Sequence, residues 1–232
     1  MSWIIIIIYL PFLDALACLD LNNDNLRKAK GQDKLNLGVI RKEEEMKLYL
    51  GLVHHPIKNK RDELVTTSVT NMDIHDISRS CRTYGVAQYH IITPLEAQHA
   101  LIGRILGHWE QDKNGAYNPD RQDALAIARS SYSLEQSIKE IEEIEGVRPL
   151  ICATGANFKE YELNPNQVKE KAQVDNKPIF LIFGTGWGLH ADALEMADCL
   201  VEPIFGASPD GYNHLSVRSA VAIYLDRFTR AL

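Results

Sequence analysis

Apolar residues recur along residues 47–232 in two alternating rhythms, short runs and three-to-four-residue steps. The runs Lys47–His54, Val65–Thr70, Gln88–Ile92, Ala124–Ala128, Pro149–Ala153, Ile179–Phe183 and Cys199–Ile204 predict strands. The longer steps predict helices. Ile74, Ile77, Cys81 and Tyr84 mark the buried face of one over Asn71–Tyr84, capped by Asn71 or Asp73 and stopped by Gly85. Thr93-Pro94 with Glu96 predicts a capping box for the next, whose Gln98, Ile102, Ile105 and Trp109 share a face. Asp112–Arg121 reads as a loop. Ser133 caps a helix that turns Ile138, Ile141 and Ile144 inward and ends at Gly146. A short helix follows over Pro165–Ala172. The last helix, His214–Leu232, buries Val217, Ala220, Val221, Tyr224 and Phe228, with Arg218 facing elsewhere. This alternation predicts an α/β fold, a mostly parallel sheet with helices on both faces.

The first 45 residues break the pattern. Trp3–Leu13 is apolar, but Asp14 ends it too soon to span a bilayer, and no basic segment precedes it as in a signal peptide. Asn22–Lys42 is polar and aperiodic. Arg41-Lys42-Glu43-Glu44-Glu45 consists of residues that all have purine-only codons, as a translated ribosome-binding site before Met46 would. Two readings stay open for residues 1–45: an extension produced by start-site choice, or a divergent N-terminal arm. The domain proper is 46–232.

A net charge of -6 gives no global basic signal, so any nucleic-acid contact must use a local patch. The most basic stretch is His54–Arg61, HHPIKNKR. It is either a solvated turn or a phosphate-contacting patch built from His55, Lys58, Lys60 and Arg61. His75, Arg79 and Arg82 form a second basic stripe, on the helix that begins near Asn71. Cys18, Cys81, Cys152 and Cys199 are far apart and form no CxxC. They predict free thiols in a reducing cytoplasm and no zinc site.

The densest run of unusual residues is Pro178–Ser219. A strand there runs into Gly184, Gly186 and Gly188, and a second glycine loop, Gly206–Gly211, follows the next strand. Ligands of open α/β sheets bind at such carboxyl ends. A dinucleotide fingerprint is disfavoured by position, because it opens its fold and here only one strand and one helix remain. The N–H groups that open the last helix favour a carboxylate or phosphate.

Three blocks, in order, resemble the SPOUT (SpoU–TrmD) class of RNA methyltransferases. Asp73-Ile74-His75-Asp76-Ile77-Ser78-Arg79, continuing to Tyr84-Gly85-Val86, is similar to N-x-G-x-x-x-R followed by an aromatic-Gly-Val. Phe183-Gly184-Thr185-Gly186-Trp187-Gly188-Leu189 is similar to FG-S-E-G-x-G-L without its Glu. Asn213-His214-Leu215-Ser216-Val217 is similar to L-N-V-S-V. The whole of Met46–Leu232 also resembles a bacterial subfamily of SAM-dependent RNA methyltransferases. The resemblance implies an α/β domain with a C-terminal trefoil knot. It implies S-adenosylmethionine (SAM) held by loops that begin at Thr154, Gly184 and Ile204, with Gly186, Asn213 and Leu215 as further contacts. It implies a homodimer whose site for RNA, tRNA or rRNA, crosses the dimer and includes Arg82, and Arg79 and Ser216 as catalytic residues. The kept arginine points to ribose 2′-O methylation. The missing Glu and the changes at Asp73 and His75 keep open base N-methylation, or a knotted RNA-binding protein without catalysis.

Overall fold

Continuous apolar runs become the interior strands of a parallel sheet, because helices cover both of its faces. In a computed structural model that describes residues 46–110 and 118–230, the strands are β1 (Leu48–Val53), β2 (Ile57–Lys58), β3 (Leu64–Val65), β4 (Gln88–Ile92), β5 (Ala128–Ser131), β6 (Leu150–Thr154), β7 (Ile179–Gly184) and β8 (Cys199–Leu200). The helices are α1 (Asn71–Thr83), α2 (Glu96–Glu110), α3 (Pro119–Leu125), α4 (Leu134–Glu145), α5 (Pro165–Asp175), α6 (Ala191–Leu194) and α7 (Val217–Thr229). Six strands pair in the order β5-β4-β1-β7-β6-β8, all in parallel, and β2 and β3 form a separate antiparallel ribbon. The expected α/β architecture is therefore present. The readings on residues 1–45 lie outside the described residues.

Alternation along β1 divides the core. Leu48, Leu50 and Leu52 enter the layer shared with Ile74 and Ile77 of α1, Ile102 of α2, Leu125 of α3, Val168 of α5, and Val221, Tyr224 and Phe228 of α7. Tyr49 and Val53 enter the other layer, with Leu134, Ile138 and Ile141 of α4 and Ala193 of α6. Gly51 leaves room for the Phe180 ring, 2.9 Å from where a Cβ would stand.

Several elements differ from expectation. Of the Val65–Thr70 run only Val65 pairs as a strand, together with Leu64 before it. Thr66 and Thr67 instead use their hydroxyls on His55 and His54, so their strand propensity is overridden by side-chain bonding. Ala124 and Leu125 end α3, which Asn118 caps, and the strand follows at Ala128–Ser131. A short apolar run does not separate helix from strand by periodicity. Thr70, not Asn71 or Asp73, caps α1, accepting from the Asp73 amide at 3.1 Å. The capping box at Thr93 is absent: α2 begins at Glu96, whose carboxylate accepts from the Tyr132 hydroxyl at 3.1 Å. Ile144 is exposed. The last strand stops at Leu200 and the last helix begins at Val217, with Leu225 joining its buried face and Val217 and Ala220 only half-buried.

The chain through β8 and just beyond it is bracketed on two sides. Asp198 and Val201 donate to Ile151 and Ala153 of β6. On the other side Glu162 and Leu163 donate to the Leu200 carbonyl, and Glu202 donates to Leu163. Leu200–Glu202 thus runs between β6 and the returning arm of the loop that leaves β6. The Tyr224 hydroxyl donates to the Glu202 carbonyl at 2.7 Å and fastens α7 to this segment.

Candidate functional site

β7, β6 and β8 are neighbours in the sheet, so the loops that leave Thr154, Gly184 and Leu200 emerge side by side. Thr154 is buried and its hydroxyl donates to the Ile182 carbonyl at 3.0 Å, which fixes where its loop departs. Gly184 has no space for a side chain: a Cβ would meet the Leu189 amide at 2.7 Å. Gly186 and Gly188 have φ of 57° and 106°, a region that favours glycine. The turn closes through Gly188 N–H donating to the Thr185 carbonyl at 2.9 Å.

That glycine turn is stitched to the basic stretch His54–Arg61. Lys58 N–H donates to the Gly188 carbonyl at 3.0 Å, and His190 N–H donates to the Pro56 carbonyl at 3.2 Å. A polar chain supports it from beneath. The Thr185 hydroxyl donates to the Val53 carbonyl at 3.1 Å and contacts the Thr67 hydroxyl, which lies 3.0 Å from His54 Nδ1. Burial pushes His54 down to about 4, against the opposing charge of Asp73, so its imidazole is neutral at physiological pH.

The second loop is closed by Asn213, whose Nδ2 donates to the Ile204 carbonyl at 2.9 Å. Gly206 fits inside the closure, where a Cβ would stand 2.9 Å from the Tyr212 carbonyl oxygen. Leu215 is exposed, and Ser216 caps α7 by accepting from the Ser219 amide at 3.3 Å. Among the described residues, the main-chain amides of Gly186, Trp187, Phe205 and Gly206 donate to no protein group. Loops with free amides, flanked by exposed Trp187, Phe205 and Tyr212, suit a ligand with polar ends and an aromatic ring. SAM fits that description.

The structure gathers Thr154, Gly184, Gly186, Ile204, Asn213, Leu215 and Ser216 around these adjoining loops. Arg79 stands apart. It is exposed on the third turn of α1, and its guanidinium forms no hydrogen bond or ion pair among the described residues. Arg82, on the next turn, pairs with Asp123 of α3 at 2.7 Å. In the ribbon, Lys58 pairs with Asp62 at 3.2 Å, Lys60 and Arg61 are exposed, and His55 Nδ1 lies 3.0 Å from the Thr66 hydroxyl. Asp62 and Glu63 follow directly and offset the charge of this patch.

Sequence reasoning missed one contact that joins two of the quoted blocks. Arg218 of α7 does not face elsewhere: its Nη1 donates to Asp73 at 2.7 Å, and its Nε lies 3.5 Å from Asp76. The Thr70 hydroxyl donates to the same Asp73 carboxylate at 2.6 Å. An aspartate in the block of α1 and an arginine just beyond the block of α7 are the signal that could have revealed it. No cluster of three or more metal-ligating side chains occurs among the described residues, and none of their helices is long and apolar enough to cross a membrane.

The model of the SAM-dependent RNA methyltransferase family matches residues 47–230. A protein of Oleidesulfovibrio alaskensis named tRNA (guanine-N(1)-)-methyltransferase is 40% identical over 214 residues, covering 89% of this chain and 48% of that one. The chain thus spans about half the length of that relative. An uncharacterized protein of Aquifex aeolicus is 36% identical over 180 residues, covering 78% of this chain and 87% of its own. Among solved structures, a probable methyltransferase of Bordetella pertussis shares the fold, with a TM-score of 0.51 at 14% identity, over 79% of this chain and 95% of that one. With the model spanning all three loops and both helices of the Asp73–Arg218 pair, the chain belongs to the SAM-dependent RNA methyltransferase family.

Proposed function

We propose that the protein transfers the methyl group of SAM to RNA, with a ribose 2′-oxygen of tRNA or rRNA as acceptor, as a homodimer in the cytoplasm. The observation that carries this reading is the set of three adjoining loops inside the family match, with free main-chain amides and glycines that keep side chains out. The passage of Leu200–Glu202 between β6 and Glu162–Leu163 supports a C-terminal trefoil knot, an exception to the rule of un-knotted chains. Free buried Cys81, Cys152 and Cys199 support a reducing compartment.

Bound at these loops, SAM would supply a methyl on a sulfonium with a neutral thioether as leaving group. The chain's own share is then positioning and charge. The loop amides hold polar ends, the His54–Thr67–Thr185 chain fixes the glycine turn, and Asn213 sets the shape of the second loop. Arg79 stays protonated and is no base. Its guanidinium, unpaired among the described residues, would hold the phosphate beside the acceptor, or stabilise the oxygen as negative charge develops. Arg79 lies six residues beyond Asp73, roughly 9 Å along the helix from the pair with Arg218. That offset supports a site in which α1 of one copy serves the loops of the other.

Base N-methylation is the second reading, favoured by the name of the Oleidesulfovibrio relative. This chain matches about half of that protein, so the named chemistry can reside in the other half. The test is to incubate the protein with tritiated SAM and RNA, digest to nucleosides and identify the labelled product. Label in a 2′-O-methyl nucleoside is expected. Label in a methylated base would transfer the assignment to the second reading. No label in any RNA, with no SAM binding by calorimetry, would overturn both.

A further inference from the structure

The basic stripe His75–Arg79 on α1 faces more than solvent. A cleft of 430 Å³ lies between α1 and α2, within the size range of small-molecule sites. His75, Arg104, His108 and Trp109 line it, and no carboxylate among the described residues does. Trp109 lines it and packs against the core behind it. The Arg121 guanidinium stands 5.3 Å over the Trp109 ring, and His75 and His108 approach that ring edge-on at 5.9 and 5.6 Å. His75 Nδ1, of a residue that lines the cleft, is buried with no partner among the described residues, as is Arg121 Nε on the neighbouring α3. Buried polar groups are normally paired, and an orphan one costs free energy until a ligand or water satisfies it. Burial and the charges of Arg121 and Arg79 push His75 down, outweighing Asp76. The same charges would attract an anion. In a chain of net charge -6, a cleft lined by Arg104, His75 and His108 and by no carboxylate among the described residues is a local exception.

Resting on the reading of the protein as an RNA methyltransferase, we infer that this cleft binds one nucleotide of the RNA beside the methyl acceptor. Its phosphate would meet Arg104 and its base would lie against the part of Trp109 that lines the cleft, on a ring whose other contact is the Arg121 guanidinium. Single-stranded RNA is recognised by this combination, bases stacked on aromatic rings or guanidinium planes with cations on the backbone. His75 and Arg79 are one helical turn apart, neighbours on a helix surface. The cleft is therefore next to the residue assigned to the acceptor, and it extends the RNA path from α1 onto α2 and α3.

The test measures binding of fluorescein-labelled RNA by anisotropy to the full chain, to Arg104→Glu and to Trp109→Leu, with SAM affinity and melting temperature measured alongside. Arg104 is exposed, so Arg104→Glu keeps the fold even if Trp109→Leu loosens the core. Lys139→Glu, the same charge change on exposed Lys139 of α4 across the sheet, is the control. Arg104→Glu is expected to weaken RNA binding at least about tenfold and to flatten the slope of log affinity against log salt by about one. Lys139→Glu should stay within about twofold of wild type. Wild-type RNA binding with Arg104→Glu no weaker than Lys139→Glu would overturn the cleft and leave the methyltransferase reading standing. Failure of the wild type to bind any RNA would sink that reading and the cleft with it. Displacement of the RNA by micromolar nucleoside monophosphate would overturn the inference by giving the cleft to a free nucleotide.

Discussion

Gly186 carries a φ of 57°, and a Cβ there would stand 3.3 Å from the Thr67 methyl. A β-branched residue would strain the backbone and push on the polar chain that runs through Thr67 to His54. Gly186→Val is expected to abolish SAM binding by calorimetry, while Gly103→Ala, on open helix surface, leaves it unchanged. Unchanged affinity in a folded Gly186→Val would remove this turn from the site. The glycine spacing was legible in the sequence because positive φ leaves a mark in residue type. The support beneath it was not, since Thr67 and His54 look like strand residues until the fold brings Thr185 to them. Buried histidines give a second prediction. His54 and His90 are both pushed down to about 4, chiefly by burial. As pH falls below the ordinary histidine value the unfolded state takes up protons that the folded state refuses, so stability falls with pH until the folded groups titrate as well. Between about pH 7.5 and about pH 5 each should cost roughly 2 kcal/mol of unfolding free energy. Denaturant unfolding of wild type and His54→Gln at both pH values checks this, and an undiminished pH dependence in the variant would contradict it.

Between elements, the contact that matters most is the one from α1 to α7. Arg218 holds Asp73, whose side chain is 8% exposed, and spans to Asp76. Removing one partner of a largely buried pair leaves the other uncompensated. Arg218→Ala is therefore expected to cost about 2 kcal/mol, less than a fully buried pair because Arg218 is itself part-exposed. The double variant Arg218→Ala with Asp73→Asn should recover part of that loss, and a thermodynamic cycle with no coupling would contradict the assignment. The helices themselves were legible where the three-to-four step was long, as in α1 and α4. Their ends were not. Thr70, Asn118 and Ser216 cap α1, α3 and α7, and several polar candidates lie within a few residues of each start. The strand expected at Ala124–Ala128 failed for a similar reason: five apolar residues suit either a helix end or a strand.

At the scale of the molecule, sequence alternation gave the sheet and the three blocks gave the family, while the route of the chain between β6 and Glu162–Leu163 needed coordinates. Exposed Trp187, Phe205, Tyr212 and Leu215 surround the loops, more apolar surface than isolated side chains explain. Light scattering is expected to report two copies, for the full chain and for a chain starting at Met46. A monomer at micromolar concentration would contradict the cross-copy site, and an insoluble shortened chain would place residues 1–45 in the domain. The central claim is methyl transfer to RNA assisted by Arg79. Its most direct test is the rate of tritiated methyl transfer from SAM to RNA from a strain lacking the protein, for wild type and Arg79→Ala. Arg79→Ala should keep fold, copy number and SAM affinity and lose about 10²–10³ in rate. Near wild-type turnover in Arg79→Ala, or no transfer by the wild type, would contradict the account.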